Sequence, residues 1–224
     1  MALFGMARAL ILVMLLFVVA GCGDDDVFAA DAGGNVDAGP AGASLGLFDI
    51  TYYWLALESD TSGPATTSLY DDQCSVLAIV NSEFAAALTL EGSGKLDDGR
   101  VLNYSGACGC PNSPCFFEVP PDKPWGVGTE NRTLVPFRSV AVDRNVIAIG
   151  TWLYIGELDG LLMPDDPPTG GFVHDGCVVA DDVGGAINDQ RIDFFSGLRT
   201  SYVALISAFP GMNVDVRAAG QRCP

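Results

Sequence analysis

The sequence predicts a mainly β domain, a small closed barrel with one or two short helices. Apolar runs rich in β-branched and aromatic residues are short, as in FDITYYWLAL at 48–57, and such runs favour strands. Turn signals recur between them, for example Asp143-Arg144-Asn145. Many short strands separated by frequent turns are typical of a barrel.

A helix is expected at 81–90 in the first half of the domain. Ser82 can cap its first turn, an Ala-rich stretch follows, and Gly92 lies just past its end. A short strand is expected around 101–104. The Cys- and Pro-rich segment that continues to about residue 124 predicts an irregular, disulfide-rich insert.

The second half contains more apolar runs. Further strands are expected at 177–180, 191–195 and 214–216 and within the apolar runs 134–142 and 146–158. Residues 198–209 have helical spacing, and Pro210-Gly211 ends that helix. In the strand at 191–195, alternation places Asp193 on the same face as Arg191 and Phe195.

The N-terminal 44 residues predict export and anchoring rather than fold. Arg8 precedes a short apolar run, and the small residues before Cys22 resemble a bacterial lipobox. We therefore expect a signal peptide at 1–21, lipidation of Cys22 and a flexible Gly/Ala/Asp tether at 22–44, followed by one domain at 45–224. A plain secretory signal that contains a cysteine is the alternative. Gly23 favours the outer membrane, facing the periplasm.

The charge balance excludes one class of partner. The chain has 28 acidic and 11 basic residues, a formal net charge of −17. No basic patch is present, so nucleic acid is not an expected partner. Without a motif for a metal or cofactor, we expect neither.

The cysteine count indicates disulfides. The chain has seven cysteines, and six remain when Cys22 is set aside. An even number in an exported chain indicates disulfides among Cys74, Cys108, Cys110, Cys115, Cys177 and Cys223. The sequence leaves their pairing open. The alternative is a metal site in the stretch 108–115, which the single histidine, His174, makes less favourable.

Three aspartates occur in a recognisable order. Asp143 ends the stretch RSVAVD, while Asp182 and Asp193 lie on either side of Gly184-Gly185 in VVADDVGGAINDQRIDFF. These stretches resemble the 3D domain, named for three aspartates, of the membrane-bound lytic transglycosylase A family. The resemblance extends over about 48–216. It implies a six-stranded double-psi β-barrel.

The resemblance also implies an activity. Lytic transglycosylases cleave the β-1,4 bond between N-acetylmuramic acid and N-acetylglucosamine of peptidoglycan without water and leave 1,6-anhydro ends. The implied catalytic residues are Asp143, Asp182 and Asp193, with Asp193 as acid and base. The implied substrate-binding residues are Thr51, Tyr53, Trp54, Gly184 and Gly185. Val183 departs from the family, which usually has threonine after the middle aspartate.

Other interpretations remain open at this point. The aspartates can instead hold turns, and the aromatic residues can belong to the core. Glu91 and Lys95 are weaker candidates for the groove. The expected partners are glycan strands of peptidoglycan and, through the lipid, a membrane, and the protein is expected to be a monomer. The alternative functions are an expansin-like wall-binding or wall-loosening lipoprotein and an O-glycosyl hydrolase on the same barrel.

Overall fold

The computed structural model describes residues 39–165 and 171–224. The predicted signal peptide, the Cys22 lipidation site and most of the predicted tether lie outside these residues. Across the described ranges, no helix has the length and apolar character needed to cross a membrane.

Strands dominate the described residues. The strands are β1 (Ser44–Tyr53), β2 (Ala56–Leu57), β3 (Thr67–Tyr70), β4 (Val76–Val80), β5 (Ser93–Lys95), β6 (Val101–Gly106), β7 (Cys115–Glu118), β8 (Ser139–Val142), β9 (Trp152–Ile155), β10 (Cys177–Asp182), β11 (Arg191–Phe195) and β12 (Asn213–Ala218). The α-helices are α1 (Ser82–Glu91) and α2 (Arg199–Ala208). The predicted mainly β class with two helices is confirmed.

Six strands form one sheet that closes on itself. They pair in the order β1-β11-β8-β10-β9-β12, and β12 pairs with β1 again. The pairs β1/β11 and β8/β10 are parallel, and the other four are antiparallel. The double-psi connectivity stays a prediction.

The interior of this sheet is apolar. Ile192 and Phe194 of β11 point into a core with Val140 and Val142 of β8. Phe195 points the other way, into a second cluster on the outer face of the sheet. The predicted alternation along β11 is therefore confirmed, and it places Asp193 on the outer face.

Residues 55–135, between β1 and β8, form an inserted lobe. A sheet of order β2-β5-β6-β7, the hairpin β3-β4 and α1 share a core that includes Leu69, Phe84 and Leu88. The prediction of an irregular segment was wrong for β7, because pairing with β6 and burial of Phe116 order it. The single strand expected at 48–57 is interrupted, since Ala56 pairs with the lobe.

The N-terminal cap of α1 differs from the prediction. Asn81, not Ser82, caps the helix, and its side chain accepts a hydrogen bond from the backbone N of Phe84 at 2.9 Å. Gly92 ends the helix with a φ of 80°, as expected for a left-handed C-cap.

All six cysteines of the domain are paired. The disulfides are Cys74–Cys110, Cys108–Cys115 and Cys177–Cys223. The sulfur atoms of Cys108, Cys110 and Cys115 lie within 4.8 Å of one another because two disulfides are neighbours. The predicted disulfides are confirmed, and their pairing, which the sequence left open, is now assigned.

Candidate active site

Four paired residues form a row across the outer face of the closed sheet. Thr51 of β1 pairs with Asp193 of β11, Asp193 pairs with Ala141 of β8, and Ala141 pairs with Asp182 of β10. Paired residues on neighbouring strands point to the same face. The small Ala141 side chain therefore leaves space between two carboxyl groups whose strands are about 10 Å apart, two strand spacings.

A β-bulge at Asp181 orients Asp182. The register of β10 against β8 shifts between Ala180 and Asp182. Ala180 faces the core, so regular alternation would turn Asp182 inward as well. The extra residue places Asp182 on the outer face instead. Asp181 is held in the bulge by Arg132 Nε at 2.6 Å and Ser139 Oγ at 2.6 Å.

Asp193 is a half-buried carboxyl with one strong hydrogen bond. Thr51 Oγ1 donates to its Oδ1 at 2.8 Å. Burial raises the pKa of Asp193 to about 6, against the opposing effects of the Thr51 hydrogen bond and the Arg191 charge. Arg191 itself forms an ion pair with Asp49 at 3.0 Å. Burial therefore outweighs Arg191, a balance that the sequence left open.

Asp182 is the second half-buried carboxyl of the row. Its Oδ1 accepts hydrogen bonds from Val183 N at 2.8 Å and from Thr129 Oγ1 at 3.4 Å. Burial raises the pKa of Asp182 to about 6, although these hydrogen bonds lower it. Thr129, at the end of the inserted lobe, thus supplies a hydroxyl near Asp182 where Val183 has none. No motif or spacing in the sequence pointed to Thr129.

Gly128 allows the chain to approach Asp182 closely. A Cβ atom added to Gly128 would lie 2.3 Å from the carbonyl oxygen of Asp181, so a side chain would push this segment away from the bulge. The position therefore requires glycine for close backbone packing.

Of the two predicted aromatic residues, Tyr53 lines the site and Trp54 packs outside it. Tyr53 is buried, and its hydroxyl has no hydrogen bond of ordinary geometry within the described residues. Burial and the charges of Asp182 and Asp193 raise its pKa. The ring of Trp54 stacks on Tyr202 with centroids 4.6 Å apart. The indole is thus packed against protein.

A cavity of about 810 Å³ lies between the row and the inserted lobe. The closed sheet contributes Tyr53, Asp182 and Asp193 to its lining, and the loop after β10 contributes Gly184 and Gly185. The lobe contributes the lining residues Leu69, Glu91, Tyr104, Asn112, Pro114 and Phe116. Thr51, Trp54, Lys95 and Asp143 do not line this cavity. Of the two weaker candidates from the sequence, only Glu91 reaches it.

Asp143 lies on an exposed turn after β8. Its Oδ1 accepts a hydrogen bond from Asn145 N at 2.8 Å, and its Oδ2 accepts one from Asp189 N at 2.9 Å. These two bonds lower the pKa of Asp143. The third aspartate therefore ties the loop after Asp182 to the end of β8, and it does not join the carboxyls of Asp182 and Asp193 at the cavity.

His174 is a buried histidine with both ring nitrogens engaged. Its Nε2 lies 2.7 Å from the carbonyl oxygen of Phe137, and its Nδ1 accepts from Gly176 N at 2.9 Å. This arrangement fixes the neutral tautomer with the proton on Nε2. Burial lowers the pKa of His174. Its role is to pack beneath the sheet, away from the cavity.

Comparison with known proteins finds a family match for the segment that carries the three aspartates. Residues 138–204 match the family model described as the 3D domain, a segment that runs from β8 into α2 and includes Asp182 and Asp193. This segment therefore matches the 3D domain, and the resemblance inferred from the sequence is confirmed. By sequence, no curated protein matches the chain.

Solved structures share the fold. The structure of Escherichia coli MltA with bound chitohexaose matches with 18% identity over 77% of this chain and 71% of that chain, at a TM-score of 0.53. A membrane-bound lytic murein transglycosylase from Agrobacterium tumefaciens matches with 14% identity over 76% and 72% of the two chains, at 0.48. The lytic transglycosylase LtgG of Burkholderia pseudomallei matches with 20% identity over 77% and 71%, at 0.43. The protein has an MltA-like fold.

Proposed function

We propose that this protein is a lytic transglycosylase of peptidoglycan, built on a six-stranded double-psi barrel and used in peptidoglycan turnover. One observation carries the proposal. Asp193 lines the cavity as a half-buried carboxyl whose pKa is raised to about 6 by desolvation. A single group with a pKa near neutrality can both donate and accept a proton.

Asp193 would act twice. As an acid it protonates the glycosidic oxygen between N-acetylmuramic acid and N-acetylglucosamine, and the bond from that oxygen to the muramoyl anomeric carbon breaks. As a carboxylate it then takes the proton of the muramoyl 6-hydroxyl, whose oxygen bonds to the anomeric carbon. The proton returned to Asp193 balances the one it gave. The products are a free 4-hydroxyl and a 1,6-anhydro end.

The other aspartates take supporting roles in this proposal. Asp182 lies across Ala141 from Asp193, where its carboxylate can stabilise positive charge that develops at the anomeric carbon. Asp143 would position the loop that carries Gly184 and Gly185, through its bond to Asp189. Those glycines let a glycan approach the backbone closely. Tyr53 would form part of the cavity wall. Thr51 would position Asp193 through its hydrogen bond, and Trp54 would pack against Tyr202 outside the cavity.

The fold supports a glycan as ligand. The E. coli MltA structure with a similar fold holds chitohexaose, and the cavity of about 810 Å³ is in the range of small-ligand sites. We propose that glycan strands bind between the inserted lobe and the row that contains Asp193 and Asp182.

A hydrolase is the second candidate, because Asp182 and Asp193 are both half-buried carboxyls on the same face. Inverting glycosidases separate their two carboxyl groups by about 6.5–9.5 Å, close to the spacing expected for side chains two strands apart. In that case Asp182 would activate a water molecule. The product would then carry a reducing end.

Mass spectrometry of soluble products from purified peptidoglycan distinguishes these functions. Incubation with oxidised protein of residues 45–224 should release anhydro-ended fragments, and Asp193→Asn should release none while retaining its fold. Asp215→Asn, a strand aspartate outside the cavity, is the matched control and should remain active. Reducing-end fragments would establish the hydrolase instead. A folded protein that pellets with peptidoglycan but releases nothing would be an expansin-like binding module.

The anchoring at Cys22 is also a proposal. The small residues before Cys22 support lipidation, and Gly23 directly after it favours an outer-membrane location. The full chain expressed with labelled palmitate should incorporate the label, and Cys22→Ala should abolish the incorporation. Unlabelled wild-type protein released to the periplasm would contradict the proposal.

A further inference from the structure

Glu91 is a buried carboxyl that the proposed mechanism does not use. It is the last residue of α1 and is 8% exposed. It lines the cavity of about 810 Å³ together with Asp182 and Asp193, and also an adjoining cavity of about 260 Å³. The inserted lobe thus places a third carboxyl opposite the row on the closed sheet.

The hydrogen bonding of Glu91 is incomplete. Its Oε2 accepts a bond from Trp54 N at 3.2 Å. Within the described residues, no other hydrogen bond and no ion pair engages this carboxyl. A side chain more than nine-tenths buried therefore keeps Oε1 free at the wall of a cavity. Such a group is costly to bury unless a ligand or a proton satisfies it.

The surroundings of Glu91 favour the protonated form. The other titratable side chains that line the cavity are Tyr53, Tyr104, Asp182 and Asp193. None of them is cationic, and Lys95 of the adjacent β5 is exposed. The C-terminal end of α1 is a further source of negative potential. Burial and the Asp193 charge raise the pKa of Glu91 to about 7, against the bond from Trp54.

We propose that Glu91 is a specificity-determining residue of the glycan site, whose Oε1 hydroxyl donates a hydrogen bond to an acetamido or hydroxyl oxygen of the bound sugar. A protonated carboxyl can donate this bond, whereas a carboxylate can only accept. This inference rests on the proposed function. It assigns a substrate contact to the inserted lobe, outside the segment that matches the 3D domain.

Calorimetric binding of chitohexaose between pH 5.5 and 8.5 tests the proposal. The parent protein carries Asp193→Asn, which prevents turnover. Its affinity should fall about fivefold to tenfold as pH rises, because the loss of one hydrogen bond donor has that effect. Glu91→Gln should keep its affinity across this range, since the amide remains a donor and still accepts from Trp54 N. Glu91→Leu should bind weakly throughout.

Controls separate the inference from the proposed function. Glu83→Gln changes an exposed glutamate of the same helix, and its affinity for chitohexaose should depend on pH as that of the parent does. Thermal unfolding verifies that each variant is folded. Matching pH profiles for the parent and Glu91→Gln would overturn the inference, as would absence of chitohexaose binding by the parent. If the wild-type protein still releases anhydro fragments in either case, the proposed function stands. If it neither binds nor cleaves, both fail.

Discussion

Thr51 and Asp193 are paired across the parallel strands β1 and β11, and the Thr51 hydroxyl donates a 2.8 Å hydrogen bond to the Asp193 carboxylate. The bond favours the ionised form, while burial favours the neutral form. The pKa of about 6 is the result of this balance, with burial as the larger effect. A group poised in this way suits a reaction in which it gives and then takes a proton.

Thr51→Val should shift the pH dependence of cleavage. Valine retains the shape of threonine but removes the donor, so the pKa of Asp193 should rise further. The alkaline limb of the pH–rate profile should move up by roughly 0.5–1 pH unit, the equivalent of one hydrogen bond. Product release from peptidoglycan between pH 4 and 9 measures this. Thr66→Val, an exposed threonine, is the control, and an unmoved limb in Thr51→Val would contradict the assignment.

Asp193→Asn should stabilise the protein at neutral pH. The pKa of Asp193 is raised in the folded state. Its favourable contribution to the free energy of unfolding is therefore present below the unfolded pKa of about 4 and is lost as pH rises through about 6. The variant should gain ~2 kcal/mol in free energy of unfolding at pH 7.5 and almost nothing at pH 4. Urea unfolding with intact disulfides measures both values.

Two comparisons make that stability test specific. His174 has a lowered pKa, so the pH dependence of its contribution to stability has the opposite direction. That contribution is present above the unfolded pKa of about 6.5 and is lost as pH falls below it. It affects wild type and variant equally and cancels in the difference. Asp215→Asn should not stabilise at pH 7.5, because hydrogen bonds from Ser44 and Arg217 lower the pKa of that exposed carboxyl. Equal stability of Asp193→Asn and wild type at pH 7.5 would refute a raised pKa for Asp193 in the folded protein.

Local patterns were enough to predict β11 and the outward face of Asp193. Ile192 and Phe194 alternate with Asp193 within five residues, and that period needs no partner strand. The bulge at Asp181 was not predictable in the same way, because it exists only against β8. The Thr51–Asp193 bond joins residues 142 positions apart, so only the folded topology reveals it.

The inserted lobe shows the same limit. Thr67–Tyr70 contains one strongly apolar residue, Leu69, and becomes a strand through pairing with β4 and burial in the core of the lobe. The disulfide pairing follows from the same topology, which brings Cys74 to Cys110. Glu91 was only a weaker candidate for the groove in the sequence, because its burial depends on the packing of the lobe against the closed sheet.

Arg132→Met should destabilise the bulge. Asp181 is buried, and Arg132 is its cationic partner at 2.6 Å. Removal of that partner leaves an uncompensated buried carboxylate, at a cost on the order of 2–3 kcal/mol in free energy of unfolding. Cleavage should also fall, since Asp182 depends on the bulge for its outward position. Chemical unfolding and product release measure the two effects.

A second substitution tests the cause of that loss. Arg132→Met combined with Asp181→Asn should recover part of the stability, because the unpaired charge is removed. Arg100→Met breaks an exposed ion pair with Asp98 and should cost less than about 1 kcal/mol. If Arg132→Met behaves like Arg100→Met, the Arg132–Asp181 pair does not hold the bulge.

The disulfides should separate stability from activity. Cys177–Cys223 spans 46 residues and joins β10 to the segment after β12, whereas Cys108–Cys115 spans 7. Loop-closure entropy predicts a loss of about 4 kcal/mol for the first and about 2 kcal/mol for the second when both cysteines of a pair become alanine. The shorter disulfide encloses Asn112 and Pro114, which line the cavity. Its removal should therefore reduce peptidoglycan cleavage more, despite the smaller loss of stability. Unfolding and cleavage measured on both double variants test this, and a loss of cleavage that simply follows stability would show that the inserted lobe contributes nothing specific to the site.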